Sequence, residues 1–461
     1  MNTNRMSNYK PHINISVAGP YHSGKSTLFG HFIYQLGGVD KRTIERFKSI
    51  SESMGLSKCE YAFIPESQQT ERSQQRSIVP STWVINTNKF RVSYTDTPGQ
   101  NRLIKNCIRG IQKGDYGLLV LSALQNLDEQ KDAIREKLIL FKTFLVDVFA
   151  VVITKMSEVD YSESRFDEVQ AFVTDVLSLL NFDVHKIKFI PVDGFEGENL
   201  STLSLKMPWA VKKSKPLLEE IDALQVPERS LNDKKPLRVT VEDSYRISGI
   251  GCVCVGMVES GILQEQSKLI VSPSGVSAQC RSIEMHHESL FEGKGRDFVG
   301  VNLLYATHLD FHVGDIISDI NSPAVRCERF EAQIQVVDQR SIKVGYMPLF
   351  NGALVQMQCK IVEMKAVEKK DTKEVESGSV TEVHCGESAV VSIIPLRPLC
   401  IETFEKFPKL GTFLLRDNGK VVATGRVKEI INWSTTSNNT IKKLIGKNTQ
   451  IQAITIDKSI Y

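Results

Sequence analysis

The chain has no run of about 18 uncharged apolar residues, which is roughly the length a helix needs to cross a bilayer. Its first ten residues, Met1 to Lys10, are polar and hold no apolar segment of the kind that directs secretion. Membrane-spanning and exported classes are set aside, and a soluble cytoplasmic protein without a membrane partner is expected. Cysteine is sparse, with nine in 461 residues. The close pair Cys252 and Cys254 has neither metal-ligand nor dithiol spacing, so reduced core thiols are expected. Charge of one sign is also in short supply: the formal net charge is +3, which by itself calls for no nucleic-acid partner. Residues 326–461 hold 20 Lys and Arg against 15 Asp and Glu, a small surplus that a solvated surface explains equally well.

What is present is ordinary globular material in quantity. Apolar residues make up 41% and charged residues 24% of a chain long enough for several cores. From Ile13 to about Ile221, strand-like runs (Ile13 to Ala18, Arg91 to Thr95, Tyr116 to Ala123, Phe149 to Thr154, Ile187 to Val192) alternate with amphipathic stretches such as Asp128 to Val146 and Arg165 to Leu180. Such alternation predicts a mostly parallel sheet covered on both faces. After Pro227 the chain turns polar through Ser230, Asn232 and Asp233, and helical periodicity disappears. Short β-branched runs punctuated by Gly and Ser then predict two antiparallel β-barrels. The expected organisation is an α/β P-loop domain over 1–229, barrels over 230–325 and 326–434, and a tail over 435–461.

Gly19-Pro20-Tyr21-His22-Ser23-Gly24-Lys25-Ser26 fits GxxxxGK[ST] between a strand and a helix carrying Leu28, Phe32 and Leu36. There the glycines let the backbone curl, its N–H groups cradle phosphate oxygens, Lys25 reaches the outer phosphates and the Ser26 hydroxyl binds Mg²⁺. Nucleotide contacts are therefore expected from Gly19, His22, Ser23, Gly24, Lys25, Ser26 and Thr27. Asp96-Thr97-Pro98-Gly99 ends the strand Arg91 to Thr95, where a carboxylate can reach Mg²⁺ through water and Gly99 can donate its N–H to a γ-phosphate. Alone this is a common turn; paired with the upstream loop it predicts a triphosphate hydrolase.

His12-Ile13-Asn14-Ile15, Gly30-His31-Phe32-Ile33-Tyr34 and the segment Gly37 to Glu45 carry a closer likeness. So do Met207-Pro208-Trp209, Lys235-Pro236-Leu237-Arg238, Ser248-Gly249-Ile250-Gly251, Glu284-Met285-His286-His287-Glu288 and Pro398-Leu399-Cys400-Ile401-Glu402. Through these, in order from residue 12 to about 430, the chain resembles eukaryotic elongation factor 1-alpha, a family of translational GTPases. Relatives in ribosome rescue and termination share the architecture but usually carry a long amino-terminal extension, so the elongation branch is expected. The resemblance implies binding of GTP and GDP with Mg²⁺, delivery of aminoacyl-tRNA to the ribosome, a nucleotide exchange factor as partner, and a monomer. It places Glu284 and His286 where the family holds the acceptor end of tRNA; without it they would read as a polar pair on a barrel surface.

The chain departs from the family at named positions. Gln100 replaces a histidine after the DxxG glycine and, with Lys25, is the expected catalytic group, since glutamine can orient an attacking water. Counting back from Trp83 puts Ser77 at the Mg²⁺-binding threonine, so Ser26, Ser77 and Asp96 form the expected metal set. Gln75 replaces the preceding glycine, and with Pro80 it suggests altered closure. The base-reading motif NKxD reads Thr154-Lys155-Met156-Ser157. Losing its carboxylate should cost about 1–3 kcal/mol of guanine discrimination. The Ser-Gly-Trp-like segment reads Asp193-Gly194-Phe195, where Asp193 either restores part of guanine reading or is a plain surface aspartate. Phe298 stands where the family usually has Asn beside the aminoacyl pocket. Two functions follow: a GTPase carrying aminoacyl-tRNA in elongation, or a divergent paralogue with weakened hydrolysis and guanine selectivity that regulates or scaffolds.

Overall fold

A computed structural model of the chain describes residues 10–228, 233–286, 288–369, 375–377 and 380–431. The expected tail, Trp433, the linker residues Ser230 and Asn232, and His287 lie outside the described residues. The first part is a six-stranded sheet: β1 (His12–Ala18), β2 (Ser81–Asn86), β3 (Arg91–Asp96), β4 (Tyr116–Ser122), β5 (Asp147–Thr154) and β6 (Lys188–Pro191) in the order β2-β3-β1-β4-β5-β6. All neighbours are parallel except β2, which pairs antiparallel to β3 at the edge. The helices are α1 (Lys25–Gln35), α2 (Lys41–Ser53), α3 (Gln69–Gln74), α4 (Ile104–Gln112), α5 (Leu127–Thr143), α6 (Glu163–Leu179) and α7 (Leu217–Asp222).

Every residue of β1 is buried, as a central parallel strand requires. Ile13, Ile15 and Val17 share one core with Leu28, Phe29 and Phe32 of α1. On alternate positions, Ser16 donates its hydroxyl to the Gly110 carbonyl of α4 (2.8 Å), so this buried polar group is satisfied. A second core forms on the opposite face from α4, α5 and α6. The carboxyl ends of the parallel strands β1, β3, β5 and β6 therefore lie at one end of the sheet, where α/β proteins place their ligands.

Two closed barrels follow. The first joins β7 (Arg238–Ile247), β8 (Gly251–Ser260), β9 (Lys268–Ser272), β10 (Val276–Met285), β11 (Phe298–Leu304) and β12 (Ile316–Asp319) in the cycle β9-β12-β7-β8-β11-β10, closed by β9 on β10. The second joins β13 (Arg329–Val336), β14 (Leu349–Gly352), β15 (Val355–Glu368), β16 (Ser388–Pro395), β17 (Thr412–Asp417) and β18 (Lys420–Ile431) in the cycle β14-β17-β18-β13-β16-β15, closed by β14 on β15. Each encloses its own apolar core. All nine cysteines are free, and Cys252 and Cys254 are buried on β8. Among the described residues no helix is long and apolar enough to cross a membrane.

Candidate nucleotide site

The loop from Gly19 to Gly24 turns β1 into α1. Its curl needs Gly24 in a left-handed conformation (φ +83°), and a Cβ on Gly19 would lie 2.1 Å from the Val120 carbonyl oxygen. Lys25 is folded back over the loop, Nζ donating to the Pro20 carbonyl at 2.8 Å, and burial pulls its pKa down to about 8. Gly99 closes on the same spot: a Cβ there would meet Lys25 Nζ at 2.6 Å and the Pro20 oxygen at 2.8 Å.

Three chain segments converge on Ser26. Its hydroxyl donates to Asp96 Oδ2 (2.7 Å), so it accepts from the Ser77 hydroxyl (2.8 Å). Burial raises Asp96 to a pKa of about 6, opposed by Lys25, the Ser26 bond and the Thr97 N–H, and its Oδ1 is buried without a side-chain partner among the described residues. Two hydroxyls and a carboxylate with a free oxygen form a hard, all-oxygen donor set that fits Mg²⁺. The expected metal residues are thus brought together across 70 residues of sequence.

Ser77 is held there by Glu71, whose Oε1 accepts the Ile78 and Val79 N–H groups (2.7 and 3.1 Å) and whose Oε2 accepts the Gln68 N–H (3.2 Å). Gln75 caps α3 in the left-handed region (φ 48°), a conformation that glycine adopts without strain.

A cavity of about 310 Å³ runs from Lys25 and Ser26 to Ser157 and Asp193. His22, Gly24, Thr27, Ser77, Gly99, Thr154, Lys155, Gly194 and Phe195 also line it, as expected. Gly19, Ser23, Asp96 and Gln100 are not in the wall. Ser23 supports it from behind, since Thr154 donates its hydroxyl to the Ser23 carbonyl at 2.7 Å. Gln100 begins the short turn before α4, half-buried beside Gly99.

The wall also contains groups that motif reading did not assign. Glu66 is raised to a pKa of about 8 by burial and by the nearby Asp96 and Glu71 carboxylates. Arg76 has its Nε buried without a partner among the described residues. The only sequence signal for Arg76 was its place between Gln75 and Ser77.

Two expectations need correction. Asp193 is 2% exposed, so it is no surface residue. Nor is its carboxylate open to a base. Oδ2 accepts the Ser157 N–H (3.0 Å) and hydroxyl (2.5 Å), while Oδ1 accepts the Phe195 and Glu196 N–H groups (3.1 and 2.8 Å). Those four donors fill its acceptor capacity. In the first barrel, strand register sets Glu284 opposite Gly300, two residues from Phe298, yet the three residues read as a tRNA contact do not form one open pocket. Glu284 is exposed, but His286 turns toward the first domain, its ring 5.7 Å from that of His12 and its Nε2 3.4 Å from Ser93 Oγ. The Phe298 ring is covered by Lys113 Nζ at 4.4 Å. Both therefore pack where barrel meets sheet, a contact between segments remote in sequence.

Comparison with known proteins agrees with this architecture. Residues 10–226 match the elongation factor Tu GTP binding domain, and residues 329–428 match the GTP-eEF1A C-terminal domain-like family. Elongation factor 1-alpha of Entamoeba histolytica is 38% identical over 428 residues, covering 91% of this chain and 96% of that protein. The chain belongs to the elongation factor 1-alpha family of translational GTPases. Elongation factor 1-alpha of Plasmodium falciparum is 36% identical, covering 92% of this chain and 96% of that protein. Among solved structures, the Saccharomyces cerevisiae Ski7 GTPase-like domain bound to GDP and inorganic phosphate superposes with a TM-score of 0.74 at 15% identity. It covers 91% of this chain and 97% of its own, a likeness of fold alone. Members of the elongation factor 1-alpha family share this P-loop domain followed by barrels, and the family binds guanine nucleotide.

Proposed function

We propose that this chain binds GTP with Mg²⁺ in the cavity above Lys25, hydrolyses it, and carries aminoacyl-tRNA to the ribosome. The observation that supports it is the convergence of Ser26, Ser77 and Asp96 beside Lys25 and Gly99. Ser26 and Ser77 would hold Mg²⁺ directly, with Asp96 at its side. When bound, the ion neutralises charge on the outer phosphates. Lys25 orients those phosphates, and the Gly99 N–H is positioned to sense the γ-phosphate. Arg76 brings to the same wall a guanidinium whose Nε has no hydrogen-bond partner among the described residues, where charge that develops during phosphoryl transfer needs a counter-ion. A ribosome supplies the trigger, and an exchange factor resets the monomer.

A second reading, a regulatory or scaffolding paralogue that hydrolyses slowly, is favoured by Gln100 standing outside the cavity wall and by His286 and Phe298 packing against the first domain. GTP turnover with and without ribosomes, measured beside protection of the aminoacyl ester from deacylation, separates the two. Ribosome stimulation with ester protection supports the carrier; neither effect removes it in favour of the second reading.

A further inference from the structure

The end of the cavity away from Lys25 holds an arrangement that the lost carboxylate of the base-reading motif does not explain. Ser157 and the largely buried Asp193 both line that end. The Ser157 hydroxyl has a single proton, and that proton is committed to Asp193 Oδ2 at 2.5 Å. An ionised carboxylate can only accept, so the direction of this bond is fixed. What Ser157 Oγ has left to offer a ligand is lone pairs, made stronger acceptors by the charge they lean on.

Asp193 cannot swing out to meet a ligand itself. Its other oxygen is pinned by the Phe195 and Glu196 N–H groups, and Ser157 is also tied through its backbone N–H. Gly194, between these anchors, is fixed in turn by its carbonyl accepting from His31 Nδ1 at 2.9 Å. Ser157 is therefore preorganised in the wall, its own hydroxyl proton held by Asp193 and its lone pairs left to accept.

We infer that Asp193 is a positioning residue that fixes Ser157 as an acceptor-only reader of the purine edge, so that the site keeps its preference for guanine through a carboxylate–hydroxyl relay. Guanine offers N1–H and N2–H donors to such an acceptor. Adenine presents a bare N1 lone pair there, and two lone pairs facing each other in a buried wall are unfavourable. The relay rests on the nucleotide reading of this cavity and names its substrate class as guanine nucleotides.

The experiment is equilibrium binding of GDP and of ADP to the full chain and to variants. Wild type should prefer GDP. Asp193→Asn keeps the acceptor for Phe195 and Glu196 but turns an amide NH2 toward Ser157, which releases the Ser157 hydroxyl proton toward the base and gives up the bond from the Ser157 backbone N–H. The GDP-to-ADP affinity ratio should then fall roughly ten- to hundredfold. Ser157→Ala should lower the ratio similarly. The exchange Ser157→Asp with Asp193→Ser should restore it, because the carboxylate then reads the base directly. A merely structural defect would weaken GDP and ADP alike and leave the ratio where it was. Equal binding of both by wild type, or an unchanged ratio in Asp193→Asn, overturns the relay while the phosphate site stands. Binding of neither nucleotide by wild type overturns both.

Discussion

Arg296 of the first barrel reaches Asp115 of the sheet domain with Nε 2.9 Å from Oδ1. The rest of its buried guanidinium is also accounted for, by Glu259 at 2.9 Å and by the carbonyls of Gln112, Lys113 and Gly114. Asn14 joins the two sides, donating to Asp115 Oδ2 and to the Arg296 carbonyl, and Lys409 of the second barrel donates to the Gly114 carbonyl at 3.1 Å. One loop after α4 thus holds both barrels. Removing one partner of such a buried pair strands the other charges, at a cost of about 3–5 kcal/mol. Arg296→Met is expected to lower the urea midpoint and expand the molecule in small-angle scattering. Arg296→Lys should not rescue it, because an ammonium lacks the planar fork.

His286 makes the same interface pH-sensitive. Burial lowers its pKa from 6.5 to about 4, helped by His12 and Arg91 and opposed by Glu288 and Asp297. The docked state favours neutral His286. Docking is therefore at full strength above about pH 6.5 and weakens as pH falls from there toward 4, since the released imidazole takes up a proton. Thermal unfolding followed from pH 7.5 to 4.5 should show this slope, and His286→Asn should flatten it. An equal slope in the variant would contradict the assignment.

Gln75 holds a left-handed backbone where the family has glycine. Gln75→Gly removes that strain but adds freedom to the unfolded chain, for a net gain of about 0.5–1 kcal/mol. A raised denaturant midpoint with unchanged slope is the expected result.

Arg76 Nε has no hydrogen-bond partner among the described residues, so removing the side chain should spare the fold. Arg76→Ala is expected to lower single-turnover GTP hydrolysis at least tenfold with GDP affinity held within about threefold. Equal losses in both would mean that Arg76 only helps to bind.

Much of this was legible in the sequence because it is local. The phosphate loop, Asp96 and Gly99 each sit at a strand end, and their spacing carries the chemistry. The β-strands after Pro227 show in their short β-branched runs, set apart by Gly and Ser. Ser81–Asn86 was not legible as a strand: it is a half-exposed edge that, among the described residues, pairs with β3 alone. The pairing of Ser157 with Asp193 spans 36 residues and depends on β5 and β6 ending side by side. His286 read as half of a polar pair on a barrel surface and Phe298 as a neighbour of the aminoacyl pocket, and only the packing of barrel on sheet sets both against the first domain.

The central claim is that the Gly19 to Ser26 loop holds the phosphates of a nucleotide, with Lys25 as its cation. Equilibrium binding of GDP with Mg²⁺ to wild type and Lys25→Ala tests it most directly. Tight binding by wild type and a loss of at least about a hundredfold in the variant is the expected result. Equal affinity in the two proteins would contradict it.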